Sequence, residues 1–288
     1  MVVKIINHEL SPVSLNLKTE PYPYFFIDEF LEPEFFGNLV NDFYRLQDKL
    51  SFVKDPAELW RNDEARGAVQ ILGGSTSGDS FEKMAPLITH SSAWNELLGL
   101  ISSQDFFTQL MGVFEDTLHY KERIGSKNIK LRPGDYHRSI YDALVNFDCY
   151  INVKISKSEN NTGLLQHQDH ASKVLALLLY LDDKEFDTRL SGGTQIWSNI
   201  KNPKLKSWSE YELTSRERGE LTLVEDIKYK TNRLVGFLKT DNSWHGVFPI
   251  LAPPGVTRNT LQINVMKCHK ASPLLSWTNK IRSSLVNR

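Results

Sequence analysis

The second half of the chain contains six short segments that are rich in β-branched, aromatic or aliphatic residues and bounded by turn-forming residues. They are CYINVKI (149–155), VLALLLYL (174–181), GGTQIW (192–197), RLVGFL (233–238), WHGVFPIL (244–251) and TLQINVM (260–266). Short strands at this spacing are typical of antiparallel sandwiches and jelly rolls. The longest apolar run, 174–181, has eight residues. A membrane helix needs about 20, so this run is interpreted as a buried strand.

The first half has a different pattern, which predicts helices packed against this β unit. PYPYFFIDEF (21–30) suggests a strand, and the Pro33 that follows it, flanked by two glutamates, suits the start of a helix. Apolar residues then recur at helical spacing at Phe36, Leu39, Phe43 and Leu46. A second amphipathic helix is predicted over 104–119. The glycine-rich stretch 71–80 lacks Gly-Lys-Ser/Thr, which favours a mobile loop over a nucleotide site.

These patterns predict an α+β organisation with three regions. Residues 1–144 would form a strand, a helix and a helical support region, and residues 145–270 would form the β core. A C-terminal helix would follow over 271–288, and the three regions would make one integrated domain. A polar, charged insert, 198–230, interrupts the strands. It could be a lid over an active site or a plain excursion of the chain.

Composition excludes several classes of partner. The chain has 34 basic and 35 acidic residues among 288, so it offers no basic surface for nucleic acid. No apolar segment is long enough for a membrane span, and the N-terminus does not resemble a signal peptide. Cys149 and Cys268 are the only cysteines, so we expect reduced thiols and a cytoplasmic location. The sequence does not indicate an oligomeric state.

The tripeptide His167-Gln168-Asp169 is the first candidate for chemistry. In an extended chain the first and third side chains point the same way and can bind one metal ion. Taken alone the signal is weak, because a chain with eight histidines supplies about half a His-x-Asp match by chance. A surface turn ahead of a strand is an equally good interpretation of this tripeptide in isolation.

A third potential ligand strengthens the metal hypothesis. His245 lies 78 residues downstream, at the start of another predicted strand. Two histidines and one carboxylate on one face of an octahedron form the facial triad of non-haem iron(II) oxygenases, which leaves three coordination positions open. His170 is a competing ligand, but it points away from Asp169 in an extended chain.

The predicted strand after His245 has one polar and one apolar face. Arg258, 13 residues after His245, shares a face with polar side chains, and the opposite face is aliphatic. An arginine can hold a carboxylate through two parallel hydrogen bonds. Tyr180, at the end of a predicted apolar strand, needs a polar partner if it is buried, and that carboxylate would supply one. The polar face also carries Thr260, Gln262 and Asn264, and the aliphatic face carries Leu261, Ile263 and Val265.

The ordered series HQDH…VLALLLYLDD…GGTQIW…LVGF…WHGV…RNTLQINV resembles the double-stranded β-helix of the iron(II)/2-oxoglutarate-dependent oxygenases, in the prolyl-4-hydroxylase-like branch. The likeness covers about residues 145–268 and extends upstream through NTGLLQHQD. A looser likeness covers 21–46. The resemblance implies a jelly-roll core with a helical N-terminal buttress.

The resemblance also implies roles for individual residues. His167, Asp169 and His245 would bind Fe(II), and Arg258 and Tyr180 would bind the distal carboxylate of 2-oxoglutarate. Gly192-Gly193 would form the turn before the strand that begins at Thr194, and Thr260 is a further co-substrate candidate. One feature departs from the family. Some relatives carry a tyrosine for the co-substrate about ten residues before the first ligand, and this chain has KISKSEN there. Asn152 or Lys154 could substitute for it.

The implied reaction is hydroxylation of an unactivated C–H bond with O2 and 2-oxoglutarate as co-substrates and release of succinate and CO2. Related halogenases have a small residue at the carboxylate position, so Asp169 favours hydroxylation. The primary substrate, small-molecule or peptidyl, is not identified.

A catalytically silent jelly roll that senses or binds a ligand is a second hypothesis, but it would have lost a triad member or the arginine. A metal hydrolase is a third, and it would need a further carboxylate cluster or general base.

Overall fold

The structure is a computed structural model that describes residues 5–50, 53–54, 66–72, 87, 89–132, 145–159, 162–182, 192–205, 214–251, 253 and 256–268. The predicted C-terminal helix, 271–288, and most of the glycine-rich stretch 71–80 lie outside these residues.

The first half of the chain supplies four helices and four strands among its described residues. In chain order they are β1 (Tyr24–Ile27), α1 (Pro33–Leu46), a 3-10 turn (Gln47–Lys49), β2 (Val53–Lys54), β3 (Arg66–Leu72), α2 (Ser92–Ile101), α3 (Gln104–Gly112), α4 (Leu118–Arg123) and β4 (Asn128–Leu131). The second half is mainly strands: β5 (Asn146–Ser158), β6 (Leu164–His167), β7 (Lys173–Tyr180), β8 (Thr194–Ser198), a short helix α5 (Ser215–Arg218), β9 (Thr222–Ile227), β10 (Leu234–Leu238), β11 (Trp244–Val247) and β12 (Arg258–Lys267).

Side-chain caps determine where the four larger helices begin. Glu32 accepts a hydrogen bond from the backbone N–H of Phe35 and starts α1, as the Pro33 pattern predicted. The predicted single helix over 104–119 is wrong. It divides after Gly112, and Thr117 caps a new helix by accepting from the N–H of Tyr120. A side-chain oxygen that satisfies a free N–H favours a new helix start over continuation.

Two sheets form the β core. The larger has eight strands, in the order β1-β10-β7-β12-β5-β3-β2, with β4 paired to β5 off this path. The smaller has four strands, in the order β6-β11-β8-β9. The described pairs are antiparallel except β4–β5. The two sheets give the predicted jelly-roll core, and β1 extends the larger sheet beyond the β-rich half of the chain.

The two faces of the larger sheet bury different sets of side chains. The face turned toward the helices belongs to one apolar cluster, which on β12 includes Leu261, Ile263 and Val265. The opposite face points into the interior between the sheets. There Tyr180 and Phe237 of the larger sheet share a cluster with residues of the smaller sheet. The division confirms the alternation predicted for β12, because successive side chains point to opposite faces of a strand.

The predicted polar insert, 198–230, is partly wrong. Its last part is β9, which pairs with β8 along the edge of the smaller sheet, with Thr194 opposite Ile227. The strand was missed because it is an edge strand with exposed apolar side chains, Leu223 and Val224, and two acidic residues. Edge strands tolerate charge, so their alternation is weak. β6 was missed as well, because only four residues form it.

The Gly192-Gly193 turn lies where the sequence predicted it, directly before β8. Gly192 has a φ of +92°, which L side chains rarely adopt. A Cβ on Gly193 would lie 1.9 Å from the backbone oxygen of Ile227. Both positions therefore require glycine.

Two further predictions from composition concern the oxidation state of the cysteines and membrane-spanning segments. Cys149 and Cys268 are buried free thiols, in agreement with the prediction that no disulfide forms. In the part of the chain that the structure describes, no helix has the length and apolar character that crossing a bilayer requires.

Candidate active site

The structure brings His167, Asp169 and His245 together. His167, the last residue of β6, lies opposite His245 of β11, and the centres of the two imidazole rings are 4.3 Å apart. Asp169 Oδ2 lies 3.7 Å from His245 Nε2. One potential ligand atom from each residue lies within 4.8 Å of the other two. Pairing of β6 with β11 therefore gathers side chains from distant parts of the sequence.

Backbone carbonyls orient both imidazoles. His167 Nδ1 is 2.8 Å from the oxygen of Leu165, and His245 Nδ1 is 3.0 Å from the oxygen of Ser243. A carbonyl oxygen only accepts, so each Nδ1 carries a proton, and in a neutral imidazole held in this way Nε2 presents the lone pair. Metal-binding histidines typically have their second nitrogen held in this way.

Asp169 has one oxygen satisfied and one that faces the histidines. Oδ1 accepts a hydrogen bond from Lys173 Nζ at 2.7 Å. Oδ2 is buried, and none of the described residues donates a hydrogen bond to it. Burial alone would raise the pKa of Asp169, but the charge of Lys173 and the neighbouring histidines hold it well below its usual range. A buried, ionised oxygen without a hydrogen-bond donor is costly, and a bound cation would compensate its charge.

His245 is in the form that a metal requires. Burial, followed by the proximity of His167, lowers the pKa of His245 to about 3. The imidazole is therefore neutral at neutral pH, while the Asp169 carboxylate is ionised. Deprotonated ligands of this kind are the ones that bind divalent metals.

Arg258 lies buried in the interior at the start of β12, with 5% of its surface exposed. Its Nε donates to the backbone oxygen of Gly192. The guanidinium carbon is 5.4 Å from the ring centres of both Tyr180 and Tyr229. Within the described ranges no carboxylate pairs with this guanidinium. A buried cation without a counter-ion is costly, so the position favours an anionic ligand.

The predicted neighbours of Arg258 include two buried hydroxyls. Tyr180 OH lies 2.8 Å from Thr194 Oγ1, and the Tyr180 ring stacks on Tyr229 at 4.2 Å. Burial raises the pKa of Tyr180, so its phenol stays protonated. Thr260 lies opposite Tyr180 in the ladder, and its buried hydroxyl has no hydrogen-bond partner among the described residues. Polar groups thus surround the guanidinium.

Asn152 lies elsewhere on the interior wall. It is opposite Asn264 in the β5–β12 ladder, whereas Arg258 is opposite Ser158, six residues further along β5. The structure therefore does not bring Asn152 to Arg258. Lys154, the alternative substitute, lies opposite Gln262 in the same ladder.

The triad and the arginine occupy one interior. Ile196 of β8 lies opposite His245, and Thr194, two residues earlier on the same strand, contacts Tyr180. Two residues of a strand span roughly 7 Å. The Phe237 ring lies 4.6 Å from the His245 ring and belongs to the same apolar cluster as Tyr180.

Sequence reasoning missed several side chains of this site. Lys173 follows Asp169 by four residues, and Thr194 begins β8, so both were visible in the sequence but carried no motif. Tyr229 was hidden in the segment interpreted as an insert. His170, the competing ligand, is exposed and contacts Ser172 Oγ at 2.8 Å, outside the triad.

A cavity of about 650 Å³ opens beside Asp169, between α4 and two turns of the β core. Its lining is polar and of mixed charge: His119, Glu122 and Arg123 from α4, Gln168, Asp169 and Ala171 from the turn after β6, residues 239–242 from the turn before β11, and Lys267. Asp169 lines this cavity, whereas His167 and His245 do not.

No protein-family profile and no curated protein matches the chain. Solved structures do match. The non-haem α-ketoglutarate-dependent carbocyclase SnoK from nogalamycin biosynthesis is 8% identical, with a TM-score of 0.50, over 87% of this chain and 83% of that one. A Pseudomonas putida prolyl-4-hydroxylase is 10% identical, with a TM-score of 0.49, over 89% and 98% of the two chains. A prolyl hydroxylase from Trichoplax adhaerens is 11% identical, with a TM-score of 0.48, over 84% and 83%.

Identities this low speak for the fold and not for the reaction. The match to SnoK covers most of both chains. The chain therefore shares its overall fold with SnoK, in agreement with the predicted jelly-roll core.

Proposed function

We propose that this protein is an iron(II)- and 2-oxoglutarate-dependent dioxygenase that hydroxylates an unactivated C–H bond and releases succinate and CO2. The observation that carries the proposal is the convergence of His167, Asp169 and His245, with a buried carboxylate oxygen that no described residue satisfies. The fold shared with SnoK, which is α-ketoglutarate-dependent, adds support, because α-ketoglutarate is 2-oxoglutarate.

The donor set fits a ferrous ion. Two imidazole nitrogens and one carboxylate match the facial triad, which leaves open positions for a chelating co-substrate and oxygen. His167, Asp169 and His245 would hold the metal, and iron bound there would supply the oxygen chemistry that no side chain can perform. Lys173 keeps one oxygen of Asp169 occupied and thereby directs the other toward the histidines.

The interior beyond the triad fits the rest of 2-oxoglutarate. Arg258 would pair with the distal carboxylate, because its buried guanidinium has hydrogen-bond capacity beyond the contact with Gly192. The Tyr180 hydroxyl can donate to the same carboxylate while it accepts from Thr194. Thr260 contributes a third hydroxyl with an unused donor. We assign Asn152 no contact with that carboxylate, because it lies six ladder positions away from Arg258's partner.

The substrate class stays broad. The cavity beside Asp169 is large enough for a small molecule or a peptide side chain and carries both charge signs. Asp169 occupies the carboxylate position that a halogenase would leave open, so hydroxylation is the proposed outcome.

Iron-dependent consumption of 2-oxoglutarate tests the proposal. Purified protein is supplied with Fe(II), ascorbate and 2-oxoglutarate over a panel of amino acids, peptides and small metabolites, and succinate is measured. We expect release that depends on added iron, and we expect His167→Ala to abolish it. His170→Ala is the matched control, since this neighbouring histidine is exposed and lies outside the triad.

The two alternative functions give different results in the same assay. A silent jelly roll would bind Fe(II) or 2-oxoglutarate but release no succinate. It would lack even the small amount that an active enzyme releases when its primary substrate is absent. A metal hydrolase would turn over without 2-oxoglutarate. Succinate release by His167→Ala equal to that of the wild type would refute the ligand assignment.

A further inference from the structure

Arg123, at the end of α4, donates hydrogen bonds to backbone carbonyls on two separate turns. Nη2 lies 2.8 Å from the oxygen of Ala171 and 2.6 Å from that of Lys173. Nη1 lies 2.5 Å from the oxygen of Lys239. One side chain outside the β core therefore joins two turns that are more than 60 residues apart in sequence.

The first of these turns follows His167 and carries Asp169. Lys173, whose carbonyl Arg123 holds, extends its own ammonium to Asp169 Oδ1 at 2.7 Å. A shift of the Lys173 backbone would therefore move the group that orients the Asp169 carboxylate.

The second turn leads from β10 into β11 and ends next to His245. It is tied internally: Ser243 Oγ donates to the Thr240 oxygen at 2.9 Å and accepts from the Thr240 N–H at 3.1 Å. The oxygen of Ser243 receives His245 Nδ1 at 3.0 Å. A displacement of Lys239 would be passed through this stiff turn to the imidazole.

Two further described hydrogen bonds join these segments. Gln168 Nε2 donates to the backbone oxygen of Asp241, and the Lys239 N–H donates to the oxygen of Val174 at 2.9 Å. Arg123 is itself fixed, because its helix neighbours Tyr120 and Ile124 are buried in the helix-side core. A planar guanidinium can serve three diverging carbonyls at once, which a single ammonium does less well.

We propose that Arg123 is a positioning residue for the metal centre: together with these hydrogen bonds, it holds the turn that carries Asp169 against the turn that leads into His245. The inference rests on the proposed function, since it assumes that these side chains bind a metal. Metal ligands need their geometry held closely by surrounding hydrogen bonds, and loss of such support typically weakens metal binding by about 10- to 100-fold.

Cobalt(II) titration of the full chain tests the proposal without reference to turnover. The dissociation constant and the visible absorption of bound Co(II) are measured for the wild type, Arg123→Met and Arg123→Lys, at a temperature well below unfolding. We expect Arg123→Met to raise the dissociation constant about 10- to 100-fold. Arg123→Lys should raise it by about tenfold and alter the absorption spectrum.

Lys121→Met is the matched control, because it removes one positive charge from the same helix. Its side chain is 60% exposed and its ion pair is with Asp116, away from both turns. We expect the wild-type dissociation constant for this variant. Thermal unfolding of each protein separates a loss of stability from a loss of metal affinity.

The outcomes separate this inference from the proposed function. Tight Co(II) binding by the wild type together with an unchanged dissociation constant in the folded Arg123 variants overturns the positioning role alone. If Arg123→Met does not fold, the Co(II) dissociation constant of Arg123→Lys tests the positioning role, and a wild-type value overturns it. If the wild type does not bind Co(II) through His167, as His167→Ala would reveal, the proposed function fails and the inference fails with it.

Discussion

On β12, Leu261, Ile263 and Val265 pack against the helical side of the larger sheet, and the residues between them face the interior. From Leu261 to Val265 the outer face is aliphatic and fully buried. The inner face begins with Arg258 and Thr260, which bring a charge and an unsatisfied hydroxyl into the protein. Neighbouring residues of one strand thus differ in their contribution to stability. The outer face stabilises the fold by excluding water, and the inner face lowers its stability, a cost that the proposed binding of 2-oxoglutarate would explain.

The comparison implies that stability and activity should separate at alternate positions. A substitution on the outer face should lower the free energy of unfolding and leave the affinity for co-substrate intact. A substitution on the inner face should do the reverse. Three predictions test this separation.

Ile263→Ala should have the largest effect. It removes three buried carbons from the outer face, so the free energy of unfolding should fall by about 2–5 kcal/mol. Urea unfolding followed by tryptophan fluorescence measures it. Gln262→Ala, one residue away on the inner face, loses a hydrogen bond to Ser156 Oγ at 3.0 Å and should cost only about 1 kcal/mol. Equal losses for the two variants would mean that the faces are not energetically distinct.

Arg258→Met should act on the co-substrate and not on the fold. Loss of a charge-assisted pair worth about 1.5–3 kcal/mol should raise the KM for 2-oxoglutarate roughly 10- to 150-fold. The free energy of unfolding should stay level or rise, because a buried charge without a described counter-ion is removed. Steady-state kinetics and urea unfolding measure the two quantities. Arg45→Met, on the exposed side of α1, is the charge-matched control. A variant that loses stability with an unchanged KM would contradict the role assigned to the inner face.

Tyr180→Phe should have the smallest effect. It removes the hydroxyl that contacts Thr194 and keeps the ring that lies against Tyr229 and Arg258. The hydroxyl would give the carboxylate a single hydrogen bond, worth about 1.5 kcal/mol at the low end for a charged acceptor, and its loss corresponds to roughly a tenfold rise in the KM for 2-oxoglutarate. Tyr120→Phe makes the same chemical change on the helix-facing side and should leave that KM unchanged. An identical KM for Tyr180→Phe and the wild type would remove the phenol from the co-substrate site.

Much of the fold was predictable because the strands of the core either alternate between polar and apolar side chains or consist of apolar residues. The division of β12 into two faces followed from parity alone, and the glycines before β8 marked their turn. The break between α3 and α4 was not predicted, because apolar residues continue at helical spacing in the sequence as far as Leu118. In the structure residues 113–117 separate the two helices, and Leu118 is exposed. β9 was not predicted, because an edge strand lacks a fully buried pattern.

The candidate site divides in the same way. The pair His167 and Asp169 and the distant His245 were identified from residue type and spacing, and their meeting in space agrees with that choice. Their role as ligands stays a prediction. Lys173 and Tyr229 were not identified, because nothing local distinguishes a surface lysine from one that pairs with a buried carboxylate, or a loop tyrosine from one stacked in an interior.

The sequence by itself determined which side chains could do chemistry and which face of each regular strand they occupy, because strand parity is a local property of the backbone. Only the tertiary structure decided which of them meet. The pairing of β6 with β11 brought the two histidines together, the ladder placed Asn152 away from Arg258, and α4 brought Arg123 to both turns. Such contacts join residues far apart in the chain, and they depend on strand register and helix packing, which arise from the summed burial of the whole core.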